Sequence, residues 1–348
     1  MIKTKVIFSA STLILVWILL ISVTDNPSEA HKDVEFMNGV SFVAPSKQLI
    51  SNPFDKVVAV NADWVAIMPY AFCRPEKPEI RFDVERQWWG EKSKGTAETV
   101  KLARDQGLKI LLKPHVWVVG QGWTGDFKLS SEEDWLVWER SYERYILNHA
   151  RCADSLNVEA FCIGLEFKHV VGERPEFWNK LIEKTRGVYA GKITYAANWD
   201  NFENIPFWDK VDFIGINAYF PLSQEDTPEL EELIKAWQEK KESVSAFQRK
   251  YGKPIVFTEF GYRSIDKAAG NQWELVSHRR FEGLPNYDAQ QNAYQALFLT
   301  FWNEPWFKGG FMWKWYSNHD RENSMFKSDY TPQGKPVENI IKEWYKKR

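Results

Sequence analysis

The sequence has 348 residues, with 45 Lys and Arg against 47 Asp and Glu. That near balance excludes the basic excess on which nucleic-acid binders depend, and the length suits one large domain or two small ones. Composition departs from the ordinary in its aromatic residues, which comprise 18 Trp, 23 Phe and 13 Tyr.

The chain opens with Lys3 and Lys5 ahead of an apolar run over 6–23 that only small hydroxyl residues interrupt. Ser28-Glu29-Ala30 then offers a small-x-small cleavage site. Residues 1–30 therefore read as a signal peptide or an uncleaved membrane anchor. Either way the domain over 36–348 is expected to be exported: secreted, periplasmic or associated with the cell envelope. It would touch a membrane only through that segment, and it is read as a monomer. No cysteine lies near the end of the run, which argues against a lipoprotein. The three cysteines, Cys73, Cys152 and Cys162, have no metal spacing and indicate no disulfide framework. Cys162 lies in an apolar strand and reads as a buried thiol.

Strands and helices then alternate. A strand over 39–43 precedes a helix over 46–60. A strand over 64–70 leads into a long polar loop carrying Trp88-Trp89-Gly90 and a helix over 96–106, which Gly107 stops. The third strand, over 108–116, is followed by a Gly- and Trp-containing loop. Ser130-Ser131-Glu132-Glu133-Asp134 then opens a long helix to about 155. The fourth strand, 160–166, ends at Glu166 and precedes a helix over 175–189. The fifth, 192–198, ends at Asn198, with a short helical piece near 205–208. The sixth, 211–219, ends at Tyr219 and is followed by a helix over 227–251. The seventh begins at Ile255 and carries Glu259. A loop with Trp273 leads to a helix over 288–302, an eighth strand over 309–315 and a last helix over 337–345.

Strict alternation implies a parallel sheet. Eight units over 36–348 imply a (β/α)8 barrel of the TIM type in a single domain. The alternative is an open doubly wound sheet, and the absence of a Gly-rich phosphate loop after the first strand counts against its nucleotide-binding version. In such a barrel, function sits at the C-terminal strand ends. Read in order, those ends carry His115, Glu166, Asn198, Tyr219, Glu259 and Trp313. An ionised carboxylate at the end of an apolar strand needs partners or a task. Two of them facing one pocket are what glycoside hydrolysis requires, one to protonate the leaving oxygen and the other to attack the sugar carbon or activate water. Lys113 and His115 share a strand face, so one of the two is expected to reach the pocket. Trp88, Trp89, Trp123, Trp199 and Trp273 lie in loops on the same side, where flat rings can stack on the C–H faces of sugars. The scattered histidines show no HExxH or paired spacing, so no metal is expected. There is no G-x-S-x-G elbow, and nothing calls for a cofactor. Asn303-Glu304-Pro305 precedes a strand rather than following one, which puts Glu304 at the opposite end of the barrel.

Several stretches together resemble glycoside hydrolase family 113, the barrel β-mannanases of clan A. They are Leu112-Lys113-Pro114-His115, Ile163-Gly164-Leu165-Glu166, Tyr195-Ala196-Ala197-Asn198-Trp199, Ile214 to Pro221, Thr258-Glu259-Phe260-Gly261-Tyr262 and Asp329 to Pro336. The resemblance implies a retaining enzyme on β-1,4-mannan or manno-oligosaccharides, with Glu166 as acid/base and Glu259 as nucleophile. It implies Tyr219 as a hydrogen-bond partner of the nucleophile or of a sugar hydroxyl, and Trp313 as the platform under the sugar. Lys113, His115, Asn198 and Trp199 complete the expected substrate contacts. One departure stands out: many clan members carry Asn before the acid/base, where this chain has Leu165. The alternatives are another retaining β-glycosidase, such as a glucanase or galactanase, or a silent glycan-binding barrel.

Overall fold

The computed structural model describes residues 34–121, 123–274, 283–318 and 324–348; the expected export segment over 1–30 lies outside them. The elements run β1 (Met37–Phe42), α1 (Asp55–Val58), β2 (Trp64–Ile67), β3 (Tyr70–Arg74), β4 (Lys77–Arg81) and α2 (Ser93–Asp105). Next come β5 (Lys109–Leu112), β6 (His115–Val118), α3 (Glu132–Ser155), β7 (Ala160–Leu165), α4 (Lys168–Glu173) and α5 (Pro175–Arg186). The remainder is β8 (Lys192–Asn198), β9 (Ile214–Asn217), α6 (Leu230–Tyr251), β10 (Ile255–Phe260), α7 (Tyr287–Phe301), β11 (Phe307–Trp315), α8 (Ser324–Lys327) and α9 (Val337–Tyr345).

Eight strands close a parallel barrel in the order β1-β11-β10-β9-β8-β7-β5-β2. Alternation along each strand sorts side chains into two cores. Met37, Trp64, Ala66, Leu111, Ala160, Cys162, Ala196, Val256 and Phe311 form the inner one. Their neighbours, such as Val65, Ile110, Ile163 and Ile216, join the larger cluster shared with the helices. Large and small residues interlock inside the barrel: a Cβ on Gly39 would lie 2.3 Å from the Phe311 ring. Much of the aromatic excess is core, since Trp138, Trp178, Trp208, Trp237, Trp302 and Trp315 are all buried. Cys162 is fully buried in β7, as its apolar setting predicts.

Below the barrel, α9 is tied to the first strand. The Trp302 indole donates to Asn38 Oδ1 at 3.2 Å, Asn38 Nδ2 donates to the Tyr345 carbonyl at 3.2 Å, and the Tyr345 hydroxyl donates to the Gly39 carbonyl at 2.8 Å. At the start of α3, Ser131 accepts from the Asp134 amide at 3.1 Å, the N-cap that the sequence signals.

Several stretches differ from the sequence expectation. The helix over 46–60 is reduced to the single turn of α1, because Pro45 and Pro53 withhold amide donors from that segment. The second and third strands each break at a proline, Pro69 and Pro114, which face each other in the pairing. Lys113 donates its amide to the Ile67 carbonyl at 2.9 Å and His115 to the Pro69 carbonyl at 2.8 Å, so the ladder passes the two prolines and continues as β3–β6. The polar segment after β3 folds back as β4, giving a three-stranded sheet β4-β3-β6 on the C-terminal side of the barrel. Its Lys-Pro-Glu-Ile-Arg composition hides an edge strand, where a proline is tolerated. Between Glu166 and the helix expected over 175–189, the chain also forms α4.

Gly309 sits at the β1–β11 seam with φ 82°, where a Cβ would come within 2.2 Å of the Met37 carbonyl oxygen. Gly107 has a similar φ of 76° with nothing within 4 Å. Gly107→Ala is therefore expected to cost about 1 kcal/mol of stability, and Gly309→Ala about 3 kcal/mol, because backbone strain and a clash with the neighbouring strand combine. Urea unfolding of the two variants checks this, and equal losses would show that the seam can yield.

Candidate active site

The barrel mouth is lined by groups delivered from strands that are far apart in sequence. Glu166 follows the last residue of β7 in the left-handed region, with φ 52°. That conformation ends the strand and turns the chain toward α4, at a cost of roughly 1–3 kcal/mol for a residue with a side chain. Two hydrogen bonds hold the turn: Glu166 donates its amide to the Ala196 carbonyl at 2.9 Å, and the Phe167 amide donates to the Tyr195 hydroxyl at 2.8 Å. Glu259 belongs to β10 and is buried. Both carboxylates line a cavity of about 190 Å³ together with Tyr70, His115, Trp123, Leu165, Asn217 and Trp313.

The two glutamates have different surroundings. Glu259 Oε1 accepts from Lys113 Nζ at 2.6 Å, and its Oε2 accepts from the Tyr219 hydroxyl at 2.9 Å. Lys113 has no exposed surface, and it donates a second bond to the Thr258 carbonyl at 3.1 Å. A buried ammonium is tolerated only when paired and hydrogen-bonded, so Lys113 and Glu259 justify each other's burial. Among the described residues, Glu166 has two donors and no cation bonded to it: the Trp123 indole donates to Oε2 at 2.7 Å and Asn217 Nδ2 donates to Oε1 at 2.8 Å. Burial and the nearby Glu259 charge push the Glu166 carboxyl up to about 7, against the opposing pull of Asn217, Trp123 and Lys113. Burial and the Glu259 charge also raise the Tyr219 phenol well above its usual range, so it stays a proton donor. His115 is driven well below its usual range by burial and by Lys113, so its imidazole is neutral.

The structure brings Lys113, His115, Glu166, Tyr219, Glu259 and Trp313 to one mouth, and both Lys113 and His115 reach it rather than one of them. The Trp313 ring lies parallel to His115 at 6.4 Å between centroids, with Lys113 Nζ 5.8 Å from its own centroid. The Trp313–Lys314 peptide bond is cis. Asn198 and Trp199 do not line the cavity. Asn198 Nδ2 instead donates to Asp200 at 2.9 Å, and Trp199 packs against Phe220 beside a separate cleft. Asp200 in turn pairs with Lys168 of α4 at 2.8 Å. Glu304 lies between α7 and β11, at the N-terminal end of its strand, and pairs with Lys241 of α6 at 2.9 Å. The Trp273 side chain lies outside what is described.

Two groups carry more than sequence reading gave them. Trp123, read there as a stacking ring, is a hydrogen-bond donor to Glu166. Asn217 was passed over because the sixth strand was extended to Tyr219, whereas β9 ends at Asn217. The alternation that makes Tyr219 point inward places Asn217 on the same face, and that was the available signal. Asn217 also accepts from Thr258 Oγ1 at 2.9 Å, so a chain of bonds runs from Glu166 to the residue preceding Glu259. Among the described residues, no group of His, Cys, Asp and Glu could hold a metal ion.

Residues 46–335 match the model of glycoside hydrolase family 113. The chain belongs to glycoside hydrolase family 113. It is therefore a glycoside hydrolase, and its substrate is a carbohydrate. Among solved structures, this family 113 enzyme is similar to the family 113 β-mannanase AaManA from Alicyclobacillus acidocaldarius in complex with ManMIm. That pair has 26% identity and a TM-score of 0.78, over 90% of this chain and 98% of that one. A complex of a family 113 β-1,4-mannanase matches at 25% identity with a TM-score of 0.76, over 90% and 100% of the two chains. A β-glucuronidase from Ruminococcus gnavus shares the fold alone, at 14% identity and a TM-score of 0.60, over 89% of this chain and 50% of that one. No curated protein matches the sequence of this family 113 chain.

Removing one partner of a buried ion pair strands the other. Lys113→Met is expected to cost about 3–5 kcal/mol in unfolding free energy. Combining it with Glu259→Gln should recover part of that loss, since the stranded charge is then gone. A double variant no more stable than Lys113→Met alone would mean that the pair does not set the cost.

Proposed function

We propose that the enzyme cleaves β-1,4-mannosidic linkages in mannan or manno-oligosaccharides with retention of configuration, using Glu166 as acid/base and Glu259 as nucleophile. The observation that carries the reading is the electrostatic contrast between two carboxyl groups on one cavity. One is bonded to a buried lysine and a tyrosine, and the other, bonded to an indole and an amide, is raised to about 7. A pair of carboxyl groups whose environments push them apart divides into an acid and a base. The mannan assignment rests on the family and on its β-mannanase relatives.

In the proposed first step Glu166 is protonated and Glu259 is charged. Glu259 attacks the anomeric carbon as the glycosidic bond breaks, and Glu166 gives its proton to the departing oxygen. The second step reverses the role of Glu166: it takes a proton from water, which attacks the anomeric carbon and releases Glu259. Lys113 and Tyr219 hold the Glu259 carboxylate in place and stabilise it when it leaves. Trp313, parallel to His115 on the cavity wall, offers a flat surface for the sugar ring. The basic, then apolar, opening of the chain supports export as the site of action.

Glu259→Ala is expected to abolish turnover while leaving oligosaccharide binding measurable. Glu166→Ala should lower kcat/KM on polysaccharide about 10²–10⁴-fold, and far less on an aryl glycoside whose leaving group needs no proton. A purified Glu259→Ala enzyme with substantial activity would end the assignment. A reducing-sugar screen over mannan, glucomannan, galactan and β-glucan tests the substrate, and release of β-configured product in NMR tests retention.

The pH dependence follows from the raised Glu166. The acid form is present below about 7, so kcat/KM should fall as pH rises through that value. The Trp123 indole favours the charged form, so Trp123→Phe should move this alkaline limb to higher pH. A limb that stayed in place or moved down would separate Trp123 from the acid.

A further inference from the structure

The catalytic cavity, at about 190 Å³, is smaller than the ~300–1,000 Å³ of a site that encloses a drug-sized ligand. A polymer therefore has to draw much of its binding from surfaces beyond it. The three-stranded sheet offers one. Its Ala71, Cys73, Ile80, Val116 and Val118 face the core, while the opposite face begins at Tyr70 and His115 in the cavity wall. One rung further from the barrel, Phe72 pairs with Trp117, which is 51% exposed yet still lines the cavity edge. Phe72 then enters a second cleft of about 690 Å³, together with Arg81, Glu85, Arg86, Gln87 and Trp88. The two hollows lie side by side: Tyr70 of the first accepts at its carbonyl from Gln87 Nε2 of the second at 2.6 Å.

Trp88 is 46% exposed, and no strand pairing or core packing accounts for it. Its backbone is fixed, because its amide donates to Glu91 Oε2 at 3.0 Å at the start of a short helical turn. A half-exposed indole is an efficient binding surface, since it offers a large flat area with few side-chain torsions to fix on contact. The polar lining balances Arg81 and Arg86 against Glu85 and Glu91, which suits a neutral polyhydroxyl chain better than a charged one.

We propose that the outer face of the β4-β3-β6 sheet and the Trp88 loop form a distal glycan-binding surface beside the catalytic cavity. It would hold units of a neutral β-linked polysaccharide remote from the bond being cleaved, with Trp88 and Phe72 as stacking rings. The proposal rests on the polysaccharide-hydrolase reading and deepens it by assigning where the rest of the polymer lies.

The test compares the wild type, Trp88→Ala and Phe72→Leu on two substrates. One is the polymer that the wild type cleaves best in the screen above, so a wrong mannan assignment does not affect the result. The other is a short aryl glycoside of the same sugar, too small to leave the cavity. Trp88→Ala should lower kcat/KM on the polymer about tenfold and leave the short substrate unchanged. In the inactive Glu259→Ala background, the same substitution should abolish retardation by that polymer in affinity gels. Unchanged polymer kinetics and retardation would overturn the proposal. So would equal losses on both substrates, which would make the aromatic face a support for the cavity wall.

Discussion

A fully buried ammonium, that of Lys113, lies against the Glu259 carboxylate, and the barrel has to close for the two to meet. Lys113 follows β5 and Glu259 belongs to β10, which stand four places apart in a ring of eight and so on opposite sides of the mouth. The lysine stem spans the opening. Uncompensated, either charge would cost several kcal/mol to bury, so the pair favours the one register in which all eight strands are in place. The bond from Lys113 to the Thr258 carbonyl adds a second anchor on β10, and Thr258 in turn reaches Asn217 on β9.

That arrangement gives the two glutamates unequal environments. Lys113 serves Glu259. The other is left with an indole and an amide, and its proton affinity rises because the charged neighbour and the dry surroundings both disfavour a second negative charge. The asymmetry comes from placement rather than residue type, since both groups are glutamates at the ends of barrel strands. Tyr219 strengthens it by remaining protonated and donating to Glu259.

The barrel and its two carboxylates were legible in the sequence because both follow from periodic signals: eight apolar runs separated by helical ones, and charges where the runs stop. What escaped was carried by groups whose roles depend on contacts across the barrel. Asn217 looks like any strand residue until its partners Glu166 and Thr258 are seen. Trp123 sits in a loop, and nothing in its local sequence distinguishes a stacking ring from an indole donor. Asn198 and Trp199 went the other way. Their position at a strand end suggested the cavity, but Asn198 is bonded to Asp200, which pairs with Lys168 of α4. Beyond Tyr70 and Val116, the three-stranded sheet was read as loop because its strands are short and one is interrupted by Pro78.

The two prolines that break the second and third strands explain why that sheet matters to the site. A proline cannot donate to a ladder, so a single one would end pairing on its side. Here Pro69 and Pro114 stand at matching levels, and the amides on either side still find the Ile67 and Pro69 carbonyls. The ladder therefore bends without ending and rises beyond the barrel as a wall. His115, the first residue past the bend, is placed parallel to Trp313, and Lys113, the last residue before its proline, is directed across the mouth to Glu259. One short motif, Lys113-Pro114-His115, thus supplies both the charge held against Glu259 and part of the wall that bounds the cavity. A substitution at Pro114 would act on both at once.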